Sequence, residues 1–273
     1  MEKEKSTTRK QKRKPAIVDT EIPGNWNLKN MIDFPRKERM IKNGTKADCL
    51  YSLGMNALVR GELEKGHDYL KEAYLLGDLN AGNTLAYGYS SGWFGYKDYD
   101  AFIQIIRKLA KKSHPTAMSN YAWAYENGIG VKRSFKWMKF WFLKAIDAGC
   151  MIAKSNLGIY YIFGNPKDRN EEEGVRLCFE AAIHGQEMAM NALGQCYEEG
   201  IVVTKNHTKA FKWYSMAVEN GAGAYAEKNL ARCYRFGIGV EVNMDKARKL
   251  IKVAMKHGYQ PKNIQKTNEL YGL

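Results

Sequence analysis

The sequence contains no long apolar run. Its longest uninterrupted apolar stretches are five residues, Tyr121 to Tyr125 and Ile159 to Phe163, against the roughly 20 needed to cross a bilayer. A membrane-inserted helix is therefore excluded. Nor does an apolar segment follow the basic N-terminus MEKEKSTTRKQKRKP, so the hydrophobic region of a secretory signal is missing. An intracellular, chiefly cytoplasmic location is expected. Cysteine is scarce and irregular: Cys49, Cys150, Cys178, Cys196 and Cys233 are odd in number and show no CxxC spacing, as expected of reduced thiols rather than a disulfide framework or a zinc site.

Acidic residues are also in short supply, 29 against 43 basic ones, which leaves a formal charge of +14. Residues 1–14 supply +5 of this and the other 259 residues +9. An excess spread in this way suits solubility and weak attraction to polyanions better than a dedicated nucleic-acid site. The run RKQKRKP, Arg9 to Pro15, is of the kind that addresses a nucleus in a eukaryotic cell or grips an acidic surface.

The motifs of chemistry are missing as well. No P-loop, HExxH or dinucleotide-binding glycine pattern occurs, so no enzyme activity and no cofactor are expected. His184 and His257 each precede a glycine at the end of a helical pattern, where a helix C-terminus favours a donor or cation. They stand two repeat units apart, too far to share a metal when packed helices are 8–10 Å apart. The acidic run from Asp168 to Glu173 lacks the alternating oxygen ligands of a calcium loop, and it suits the start of a helix. No metal site is expected.

What the sequence does have is a repeat. The segments YAWAYENGIGV (121–131), LGIYYIFG (157–164), LGQCYEEGIVV (193–203) and LARCYRFGIGV (230–240) align, and their tyrosines, with Tyr89, fall at 89, 125, 161, 197 and 234. A second column, Gly77, Ser113, Gly149, Gly185, Gly221 and Gly258, keeps the same period of 36 or 37 residues. Apolar residues in each unit recur at helical spacing, as in Ala189, Leu193 and Tyr197, then Ala210, Trp213, Tyr214 and Ala217. A glycine-rich turn separates the two stripes, with Ser134, Asn206 or Thr208, and Asp245 as candidate N-caps.

Each unit is thus a helical hairpin, and a hairpin buries both its faces only by stacking on neighbours. The expected fold is all-α, an α/α solenoid of about six hairpins. Residues 1–22 are expected to be a disordered basic tail and 23–44 a front cap using Trp26, Met31 and Phe34. Residues 45–258 then hold six repeats, and 259–273 form an end cap in which Ile264 and Leu270 cover the last hairpin.

Unit five, through Ala189, Leu193, Gly194, Tyr197, Gly200, Val202, Lys209, Ala210, Trp213, Tyr214, Ala217 and Gly221, resembles the Sel-1-like repeat family, a branch of the tetratricopeptide-like helical repeats. Units three and six resemble it through Gly128 to Val131 and Gly237 to Val240, whereas units one, two and four depart in their turns. The resemblance implies a scaffold or adaptor without a catalytic centre that binds a protein partner, its first helices lining a concave groove. By analogy with related repeats, the groove takes the residues two before the column tyrosine (Tyr87, Trp123, Ile159, Gln195, Arg232), six before it (Ser119, Ser155, Asn191) and one after it (Glu126, Ile162, Glu198). Residues at these positions change from unit to unit while the packing columns repeat. The alternative is an RNA-binding solenoid using the basic surface and tail, opposed by the many apolar groove residues and by lysine outnumbering arginine 31 to 12. Self-association is left open.

Overall fold

A computed structural model describes residues 44–273. Twelve helices form six antiparallel pairs. The first helices are α1 (Lys46–Val59), α3 (Leu79–Ser91), α5 (Pro115–Asn127), α7 (Met151–Phe163), α9 (Glu187–Glu199) and α11 (Gly223–Phe236). Their partners are α2 (Leu63–Leu75), α4 (Tyr99–Lys111), α6 (Phe135–Asp147), α8 (Glu171–Ile183), α10 (His207–Glu219) and α12 (Met244–Lys256), and a short α13 (Ile264–Tyr271) closes the array. Among the described residues there is no strand. The protein is an all-α solenoid. The basic tail and the front-cap residues Trp26, Met31 and Phe34 lie outside the described residues.

Local sequence sets the helix ends. Ser134 and Asn206 accept backbone N–H groups at the starts of α6 and α10, satisfying donors that a helix leaves unpaired. For α12 the cap is Asn243 rather than the expected Asp245. Asp245 sits in the first turn and pairs with Arg248 at 3.2 Å. Asn170 caps α8, and Glu171, Glu172 and Glu173 fill its first turn, where their charge opposes the helix dipole.

Within a pair, small residues let the helices close. A Cβ built on Gly158 would stand 2.9 Å from the Gly174 carbonyl oxygen, and one on Gly54 3.2 Å from that of Gly66. Between pairs the core continues without a break in character: Leu70 and Leu85, then Phe102, Met138 and Phe142, then Leu193, Tyr197 and Tyr214, then Ala247 and Ile251, all buried. Successive first helices touch, α5 with α7 and α7 with α9, whereas no two second helices pack comparably. The first helices therefore stand on the inner side of the curvature.

The end cap is built differently from expectation. Tyr271 is the residue of α13 that is buried, against Ala231, Ala247 and Ile251, while Ile264 and Leu270 remain exposed. A hydrogen bond from Arg248 Nε to the Tyr271 carbonyl at 2.8 Å fixes the segment's end.

Candidate functional site: the inner wall

Because the first helices share one register, equivalent residues on them line one surface. Tyr87 on α3 and Trp123 on α5 hold the same place in consecutive units and are 48% and 37% exposed. Each rests on an aromatic neighbour: Tyr87 meets Trp93 edge-on at 4.8 Å, and Trp123 lies over Phe102 at 6.2 Å. Rings held in this way lose little freedom when a partner covers them. Ile159 and Gln195 continue the same line, half-buried.

The wall turns polar toward the last two units. Arg232 donates to the Glu198 carboxylate at 2.5 Å, and the Tyr214 hydroxyl donates to the same oxygen at 2.9 Å. Burial pushes the Glu198 carboxyl up, but these two hydrogen bonds together with the Arg232 and His207 charges outweigh it and hold the pKa below the ordinary value. Beside them, burial and the Arg232 charge lower the Lys228 pKa. Lys228 donates to Asn229 at 2.9 Å, and Asn229 donates across the unit boundary to Asn191 at 2.9 Å. A second asparagine bridge, Asn120 to Asn83 at 3.0 Å, crosses from unit three to unit two.

Three residues expected on this wall are not accessible. Ser119, Ser155 and Ile162 are 1%, 2% and 1% exposed; Ile162 lies against Gly174 of its hairpin partner α8, and the middle first helices pack directly on one another. Glu126, Asn191, Glu198 and Arg232 are half-buried. The residues that sequence reasoning missed are Asn120 and Asn229, which reach into the neighbouring unit. Their signal was available: asparagine stands five residues before the column tyrosine at 120, 156 and 229.

Other candidates resolve as structure. His114 caps α5 by accepting the Ala117 N–H at 3.2 Å, and His257 is bonded through Nδ1 to Glu227 at 2.8 Å. Among the described residues no group of histidines, cysteines or carboxylates is placed to hold a metal, and no helix is long and apolar enough to cross a membrane. All five cysteines are free, and four are buried. Burial pushes the thiols of Cys196 and Cys233 up to about 12, which keeps them protonated and unreactive.

Stacked α-hairpins with a contiguous inner wall define a helical-repeat solenoid. Residues 115–150, 152–186, 187–221 and 224–259 each match the Sel1 repeat, and the chain belongs to that family. Over 173 residues, 58% of the chain, it is 30% identical to the chitin synthase regulator SKT5 of Saccharomyces cerevisiae, and over 62% it is 25% identical to chitin synthase regulatory factor 3 of Schizosaccharomyces pombe. The matches cover 24% and 18% of those proteins, so the chain spans about a quarter or less of their length. A Sel1 repeat protein from Oxalobacter formigenes superposes with a TM-score of 0.62 at 24% identity, covering 77% of this chain and 85% of its own. The immunity protein Pa5087 of Pseudomonas aeruginosa gives 0.59 at 22%, covering 77% and 81%. These likenesses concern the fold.

Proposed function

We propose that this protein is a non-catalytic regulatory adaptor that holds a partner protein chain along the inner wall of its solenoid. The observation that carries the proposal is the pair Tyr87 and Trp123, which hold the same place on consecutive first helices and are open to solvent. Aromatic side chains on a firm base are the usual anchors of protein interfaces. The polar end of the wall, with Asn191, Glu198, Lys228 and Arg232, would fix the register of the bound chain through hydrogen bonds. The regulator names of the two fungal relatives support an adaptor, and they point to chitin synthesis as the process in which to look for the partner.

The test is site-specific photocrosslinking. A photoreactive residue at Gln195, midway along the wall, is expected to capture a discrete protein, and Trp123→Ala in that background is expected to abolish the capture while helical circular dichroism stays unchanged. Loss of about 2 kcal/mol of binding is typical of such an anchor, which is roughly a thirtyfold weakening. Unaltered capture by the variant, or capture of RNA in place of protein, would overturn the proposal.

A further inference from the structure

Unit four departs from the repeat in its turn, and the departure opens a cavity. In units three and six the second glycine of the turn presses on the start of the preceding unit's second helix: a Cβ on Gly130 would stand 2.4 Å from the Ile103 side chain and 3.2 Å from the Tyr99 carbonyl oxygen. At Gly239 the corresponding distance to the His207 carbonyl oxygen is 2.0 Å. There the turn fills the space above that helix. Unit four instead carries GNPKDRN, folded back by a hydrogen bond from the Asp168 N–H to the Asn165 carbonyl at 2.9 Å. Above the start of α6 it leaves a cavity of about 270 Å³, whose walls include Tyr125, Glu126, Arg133, Phe135, Tyr160 and Asp168.

The charges of this cavity do not balance. Two carboxylates face one guanidinium, so one negative charge is in surplus. Asp168 accepts the Tyr160 hydroxyl at 3.0 Å, but Glu126 accepts no hydrogen bond from any described residue, although burial raises its pKa. A carboxylate withdrawn from water without a donor is costly, and an incoming cation would relieve that cost. The other walls suit the same guest. Phe135 stacks on Tyr160 with ring centres 5.5 Å apart, and aromatic rings attract cations. The volume falls just below the 300–1,000 Å³ of small-molecule sites, a size that fits one side chain.

We propose that the cavity between units three and four receives one cationic group, the ammonium or guanidinium of a lysine or arginine side chain on the bound partner. The source of the cation rests on the adaptor reading above; the affinity of the cavity for a free cation does not.

The full chain is titrated with n-butylammonium, n-butylguanidinium and neutral n-butanol, with the carboxyl 13C resonances of Glu126 and Asp168 followed by NMR. Both cations are expected to give saturable shifts and butanol none. Glu126→Gln, with Asp168→Asn as a second variant, is expected to weaken cation binding at least tenfold without change in helical circular dichroism. No saturable response to either cation, or an equal response to butanol, would overturn the proposal while leaving the crosslinking result at the inner wall untouched. Capped Gly-Gly-Lys-Gly-Gly is expected to bind at least as well as butylammonium, and its norleucine analogue not at all. Binding of the free amine but not of the lysine peptide would overturn the assignment to a partner side chain and place a free organic amine in the cavity.

Discussion

Ser113 occupies the position that five other units give to glycine, and it does so with a backbone φ of +59°. Its equivalents Gly77, Gly149, Gly185, Gly221 and Gly258 lie between +80° and +101°. For a residue with a Cβ the left-handed region costs roughly 1–2 kcal/mol, and glycine returns part of that by its greater freedom in the unfolded chain. The Ser113 side chain is exposed, and no hydrogen bond from its hydroxyl sets it in place. Ser113→Gly is therefore expected to stabilise the protein by about 0.5–1 kcal/mol, seen as a higher urea midpoint with an unchanged slope. An unchanged or lower midpoint would mean that the strain is relieved locally. The column of closing glycines was legible in the sequence because the requirement is one of backbone conformation, identical in every unit. The exposure of individual wall residues was not. Ser119 and Trp123 are four residues apart on one helix, yet one is sealed from solvent and the other is open.

For the helix pairs, the decisive contact is the one between glycines. Gly158 and Gly174 face each other across α7 and α8, each with a virtual Cβ within 3.0 Å of the other's carbonyl oxygen. Helix propensity alone favours Gly158→Ala by about 1 kcal/mol. Packing opposes it, because the added methyl also meets the Cys178 sulfur at 2.8 Å, and backbone cannot step aside as a flexible side chain can. Overpacking of this kind costs about 1–3 kcal/mol, so Gly158→Ala is expected to destabilise, by denaturant titration, despite its better propensity. A stabilised variant would show that α7 and α8 slide apart cheaply. The hairpins were legible from recurring alanine, glycine and tyrosine columns, since those residues meet the same surroundings in each unit. The turn of unit four was not. GNPKDRN follows no repeat pattern, and the cavity it leaves depends on how far it stands from α6.

In the molecule as a whole, each hairpin meets only its neighbours, so stability is close to a sum of unit terms and interface terms. The last hairpin has a neighbour on one side alone, and α13 covers the other. The sequence pointed to a cap here but to the wrong residues, because Ile264 and Leu270 are apolar and Tyr271 carries a hydroxyl. Geometry selects Tyr271: its ring reaches Ala231, Ala247 and Ile251, and the Arg235 guanidinium lies 5.0 Å from the ring centre. Tyr271→Ala removes that cover. Full burial of an aromatic ring is worth about 3–5 kcal/mol on truncation, and at an array end with one packed face roughly 2 kcal/mol is expected. In a globular core such a loss lowers the stability of every element together. In a linear array it is confined to the end. Amide hydrogen exchange in α12 is therefore expected to quicken about thirtyfold, with a smaller increase in α11, while the protected amides of α5 and α6 keep their rates. Equal acceleration in α5 and α12 would show that the six hairpins unfold as one cooperative body, and a partner gripping the inner wall would then stabilise all of it rather than the units it touches.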